Sequence, residues 1–84
     1  MDNLNESVRA VLMQIRKEIE PHLDETNLVT NGLIDSLDIM NLIVKLEEKF
    51  NIAIDPEDVI AENFDSVAAI VALVERRATN EQSK

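Results

Sequence analysis

Residues 32–50, GLIDSLDIMNLIVKLEEKF, hold more apolar side chains than one buried helix face can use. At about 100° per residue, Ile39, Leu42, Ile43, Leu46 and Phe50 fall on one stripe with i, i+3, i+4 spacing. That stripe is the core face. Leu37, Met40 and Val44 form a second stripe, beside Asp38, Asn41, Glu47 and Glu48. A helix apolar on two sides is either buried on both or meets a partner. The pattern predicts a helix over 36–50. Asp35 can cap it, with Asp38 at the third helical position and both acids favourable to the helix dipole.

Upstream, Leu4, Val8, Val11, Leu12, Ile15 and Ile19 give helical spacing over about 4–20, with Arg9, Arg16 and Lys17 off the stripe and expected exposed. Asn3 and Glu6 resemble a capping box, and Pro21 is expected to stop this helix. The connection from Pro21 to Asp35 is about fifteen residues, long for a helix–helix loop of roughly 2–8. Leu23, Leu28, Val29, Leu33 and Ile34 are expected to pin it across the bundle, and Asn31-Gly32 supplies a turn. Downstream, Asp55-Pro56-Glu57-Asp58 signals a short third helix over about 56–61, with Val59 and Ile60 as its apolar contacts. Phe64 then anchors a loop. Asp65 is expected to cap a last helix over about 66–77, with the stripe Val67, Ile70, Val71 and Val74, before a flexible tail at 79–84. The 84 residues (1–84) therefore predict one all-α domain, a four-helix bundle of three principal helices plus one short third helix.

A single domain of this size buries only about 60% of its unfolded surface, so there is one small core. One Gly, two Pro and no Trp or Tyr favour helix over sheet. The absence of cysteine excludes a disulfide, a thiolate metal site and a thiol nucleophile in the polypeptide. No apolar run approaches the roughly 18 residues of a membrane span, and the N-terminus lacks signal-peptide features; a soluble cytoplasmic chain is expected. Net charge is −9, and residues 18–65 hold thirteen acids against Lys45 and Lys49. This negative middle repels nucleic-acid phosphates and anionic lipid and attracts basic protein surfaces; it is equally what a solvated surface tuned for solubility looks like.

No catalytic or metal constellation is legible. Asp24 to Asp35 has the length of a calcium-binding EF-hand loop, but Val29 stands where that loop needs Gly, and Thr26, Leu28 and Asp35 occupy other ligand positions. His22 has no second His or Cys nearby and is expected at the surface. What remains is Ser36, at a helix mouth after a turn. Serine there commonly caps. If Asp35 caps instead, the hydroxyl is free, and a phosphate ester on it would sit near unpaired backbone N–H groups and the positive end of the dipole.

Asp35-Ser36-Leu37-Asp38, followed by Leu42, Leu46-Glu47-Glu48 and Phe50, resembles the acyl carrier protein family, and the resemblance extends along the whole chain. It implies a carrier and not an enzyme. It also implies that Ser36, between Asp35 and Leu37, bears 4′-phosphopantetheine added from coenzyme A by a phosphopantetheinyl transferase. Acyl cargo would ride as a thioester, and the thiol would belong to the prosthetic group, in keeping with the missing cysteine. The resemblance further makes the second helix a docking surface for processing enzymes with basic faces. Leu37, Met40, Asn41, Val44 and Ile60, with Asp38, Glu47 and Glu48, are the expected contacts. Ile54, Val59 and Ile60 are candidates to line a pocket for the acyl chain. Ile39, Asn41 and Lys45 depart from the usual pattern of fatty-acid carriers, so the resemblance spans fatty acid and specialised lipid or secondary-metabolite synthesis as well as aminoacyl carriers. A monomer is expected. The competing reading is an unmodified helical interaction module that grips a partner through Leu37, Met40 and Val44.

Overall fold

The molecule, a computed structural model, is described over residues 2–82, and the side chains over residues 4–78. Its element order is α1 (Asp2–Ile15), a 3₁₀ turn (Lys17–His22), α2 (Ser36–Phe50), a 3₁₀ turn (Pro56–Asp58), α3 (Ala61–Phe64) and α4 (Val67–Gln82). No strand occurs among the described residues. The principal helices are α1, α2 and α4, and α1 packs against both of the others. Their apolar stripes meet in one core that includes Val8, Leu12, Leu42, Leu46, Phe64, Ile70 and Leu73. Burying each such side chain contributes about 1.5–3 kcal/mol.

The first predicted helix is two pieces. α1 already includes Asp2 and Asn3, so Asn3 is not its cap, and the α-helical run ends at Ile15. Arg16 is extended, with φ −147° and ψ 102°, and the chain rewinds as a 3₁₀ turn that contains Pro21. The turn still delivers Ile19 to the core, 1% exposed. Arg9 and Arg16 are half-buried where exposure was expected, because Arg9 pairs with Asp24 and Arg16 with Asp38. His22 is half-buried, with Nδ1 2.7 Å from Glu25 Oε2.

The long connection is fastened as its apolar residues predict. Leu23, Leu28 and Ile34 are buried. Gly32 takes φ +76°, the left-handed turn that its lack of a side chain permits. The second fastening comes from Asp65. Its carbonyl accepts from Leu28 N at 2.8 Å. Its carboxylate accepts from Val29 N at 2.9 Å, Thr30 N at 3.1 Å and the Thr30 hydroxyl at 3.1 Å. Asp65 is therefore not the cap of α4. That role belongs to Ser66, whose Oγ accepts from Ala69 N at 3.0 Å.

The third helix is also divided. The Asp58 carbonyl accepts from Ile60 N at 3.0 Å and from Asn63 Nδ2 at 2.7 Å, and these bonds draw the chain out of helix after the first turn. Val59 and Ile60 face outward, 43% and 47% exposed, and Phe64 at the end of α3 makes the core contact. α4 continues past Arg77 to Gln82, since Ala78 to Gln82 contains no Gly or Pro to end it. The flexible tail expected at 79–84 is thus helical through 82, and residues 83–84 lie outside the described residues.

Candidate functional site

The mouth of α2 is closed by reciprocal hydrogen bonds. Asp35 is the cap: its Oδ1 accepts from Asp38 N at 2.9 Å, while Asp38 Oδ2 accepts from Asp35 N at 3.1 Å. The Asp35 carbonyl takes the next amide, Ile39 N, at 2.9 Å. This is a capping box with aspartate at its third position, where glutamate is commoner. The shorter side chain still reaches the Asp35 amide, at 3.1 Å. Accepting the Asp38 amide, with Arg16 nearby, lowers the carboxyl pKa of Asp35 below its ordinary 3.8.

Because Asp35 does the capping, Ser36 is the first helical residue and its hydroxyl is not drawn into the cap. Ser36 is exposed. A group esterified to it would stand at the positive end of the helix dipole, outside the ring of bonds that starts the helix. The residues present therefore fit a covalently attached phosphate ester.

Arg16 reaches this mouth from the end of α1. Its Nε and one terminal nitrogen lie 2.8 and 2.7 Å from Asp38 Oδ2, and the same terminal nitrogen is 3.6 Å from Asp35 Oδ2. The bond to Asp38 and its charge raise the guanidinium pKa further. Sequence reasoning missed this contact, which joins residues 22 positions apart.

The expected docking residues divide into two groups. Leu37, Met40 and Val44 are 66%, 64% and 52% exposed, and Asn41 and Glu48 share their side of α2. Asp38 does not join them. It is 9% exposed and committed to Asp35 and Arg16. The signal was present in the spacing: Asp38 stands four and eight residues before the buried Leu42 and Leu46, so it continues the core stripe. Glu47 is half-buried, and its Oε2 accepts from Ile54 N at 2.9 Å, fastening the chain after α2. Asn51 ends that helix in the left-handed conformation, φ 56°. Of the pocket candidates, Ile54 packs against the core, whereas Val59 and Ile60 lie at the surface.

Residues 6–74 match the phosphopantetheine attachment site family. The chain belongs to the acyl carrier protein family.

An acyl carrier protein of Buchnera aphidicola (subsp. Baizongia pistaciae) is 35% identical over 77 residues, covering 90% of this chain and 96% of the relative. One from Helicobacter hepaticus is 37% identical over 71 residues, 83% of this chain and 91% of the relative. A D-alanyl carrier protein of Abiotrophia defectiva is 32% identical over 76 residues, 88% of this chain and 95% of the relative. No solved structure gives a significant match. As an acyl carrier protein family member, the molecule is a carrier for a covalently attached phosphopantetheine and not an enzyme. Among the described residues, no helix is long and apolar enough to cross a membrane.

Proposed function

We propose that Ser36 bears the phosphopantetheine and that this carrier presents thioester-bound acyl groups to enzymes of fatty acid or specialised lipid or secondary-metabolite synthesis. The observation that carries this reading is the division of labour at the α2 mouth: Asp35 closes the helix and Ser36 stands exposed beside it. In the loading reaction the Ser36 hydroxyl oxygen bonds to the pantetheine-side phosphorus of coenzyme A. The phosphoanhydride bond breaks, adenosine 3′,5′-bisphosphate leaves, and the hydroxyl proton passes to a base on the transferase. The attached group supplies a flexible arm ending in a thiol, which the cysteine-free chain itself lacks.

The docking face is Leu37, Met40, Asn41, Val44 and Glu48, with Ile60 beyond α2. Its exposed charge is mixed, because Lys45 is also at the surface while Asp38 and Glu47 are engaged within the fold. Contacts through such a surface rest on apolar area, with electrostatics steering the approach of basic partners. Acyl cargo would meet Val59 and Ile60 first and Ile54 behind them. The D-alanyl carrier relative supports a second reading in which the cargo is an aminoacyl group. In either case the carrier works as a cytoplasmic monomer.

The test is intact-mass spectrometry after incubation with coenzyme A and a broad-specificity phosphopantetheinyl transferase. Wild type should gain one phosphopantetheine and Ser36→Ala none. Equal gain by Ser36→Ala, or no gain by wild type with several transferases, would sink the proposal.

A further inference from the structure

We propose that Arg16 is a positioning residue for the modification of Ser36, holding Asp38 inside the capping box so that Asp35 stays the cap and the serine hydroxyl is presented. This rests on Ser36 being the attachment site. Asp38 is 9% exposed, and a carboxylate so enclosed must be paired or it turns out toward water. Arg16 supplies that pairing with two nitrogens on one oxygen, at 2.8 and 2.7 Å. The same Asp38 oxygen accepts the Asp35 amide at 3.1 Å. Arg16, Asp38 and Asp35 therefore form one chain of contacts from the end of α1 to the residue before Ser36. If the guanidinium is lost, the Asp38 side chain leaves the box and the Asp35 amide loses its acceptor, so the residue preceding the nucleophile is held only by the Asp38 and Ile39 amides and its N-terminal side is released.

The molecule carries its own control. Arg77 on α4 holds a second pair with the same spacing: Nη1 is 2.9 Å from Asp55 Oδ2 and Nε 3.4 Å from Asp58 Oδ2, while Asp55 N donates to Asp58 Oδ2 at 3.3 Å. That cluster fastens the 3₁₀ turn at 56–58 and lies away from Ser36 in the chain.

The experiment compares Arg16→Gln, Arg16→Lys, Arg77→Gln and the double variant Arg16→Gln/Asp38→Asn. It measures the single-turnover rate of Ser36 modification at saturating transferase and the hydrogen exchange of the Asp35 amide. Arg16→Gln should slow modification about fivefold, the size of one partly exposed charge pair, and speed Asp35 exchange. Arg16→Lys should recover most of both. The double variant should recover both as well, because an asparagine oxygen still accepts the Asp35 amide and needs no counter-charge. Arg77→Gln should leave both readouts at wild-type values. Wild-type modification of Arg16→Gln, a double variant as slow as the single, or equal slowing by Arg77→Gln overturns the inference. If Arg16→Gln does not fold, the double variant decides: a folded double variant with modification and Asp35 exchange near wild-type values supports the inference, and one that stays unfolded or is modified about fivefold or more slowly than wild type overturns it. Failure of wild type to be modified at all would instead overturn the assignment of Ser36.

Discussion

The dipeptide Asp-Ser opens two helices in this chain, at 35–36 and at 65–66, and the two copies do opposite things. At α2 the aspartate caps and the serine is the exposed first residue of the helix. At α4 the serine caps, through Oγ on Ala69 N, and the aspartate turns away to hold the loop at Leu28 to Thr30. The difference lies in what each aspartate finds nearby. Three residues after Asp35 stands Asp38, whose carboxylate accepts the Asp35 amide. Three residues after Asp65 stands Ala68, whose side chain has no acceptor, and backbone donors reach Asp65 from another segment. A free hydroxyl is thus a consequence of which neighbour wins the capping position, and serine at a helix mouth is not informative until that is known.

The comparison can be broken most forcefully at Asp65. Asp65→Ala strands the part-buried Val29 amide and the Thr30 donors, and should cost about 2 kcal/mol of unfolding free energy, read by denaturant titration. A loss below experimental error would mean that the loop does not depend on this residue. Exchanging the serines sharpens the contrast. Ser66→Ala should lose about 1 kcal/mol as a removed cap and still accept phosphopantetheine, whereas Ser36→Ala should stay within about 0.5 kcal/mol of wild type and accept none. Equal destabilisation of the two would place Ser36 in the cap after all.

The smallest effect is the pH dependence of Asp35. Its folded-state pKa lies below the unfolded value, so its contribution to stability is complete above that value, about 3.9, and is lost as pH falls through the lower folded pKa. Asp35→Asn should therefore flatten the acid limb of the stability profile below about pH 4 and leave the slope at neutral pH unchanged. An acid limb identical in the two proteins would remove the carboxylate from the cap's energetics.

The core and the exposed side of α2 were legible because both depend on spacing along one helix. Leu42 and Leu46 are buried, and Leu37, Met40 and Val44 exposed, as a period of 3.6 requires. Asp35 as the cap was legible for the same local reason. What sequence reasoning lost were choices settled by distant partners. Asp65 gave up its cap to backbone amides some 35 residues away. Arg16 leaves the first helix to meet Asp38, and Asp38, expected among the docking residues, lies buried on the stripe it shares with Leu42. Glu47, expected as a docking contact, also receives the Ile54 amide, a bond that its place in the sequence does not announce. These three cases concern polar side chains, for which periodicity states the direction but not the partner, whereas Val59 and Ile60 reached the surface because the chain leaves helix after Asp58.

The bond from Leu28 N to the Asp65 carbonyl, 2.8 Å long, also makes residues 28 and 65 neighbours in space. The segment between them contains α2, Ser36 and the exposed apolar side chains, and it begins and ends at one place on the α1–α4 frame. Segments with adjoining ends are the ones proteins exchange or accept as insertions. Residues 29–64 are accordingly a closed segment: α2, Ser36 and the exposed apolar side chains hang from one point of closure, and the side chains Leu42, Leu46 and Phe64 tie that segment into the core it shares with α1 and α4.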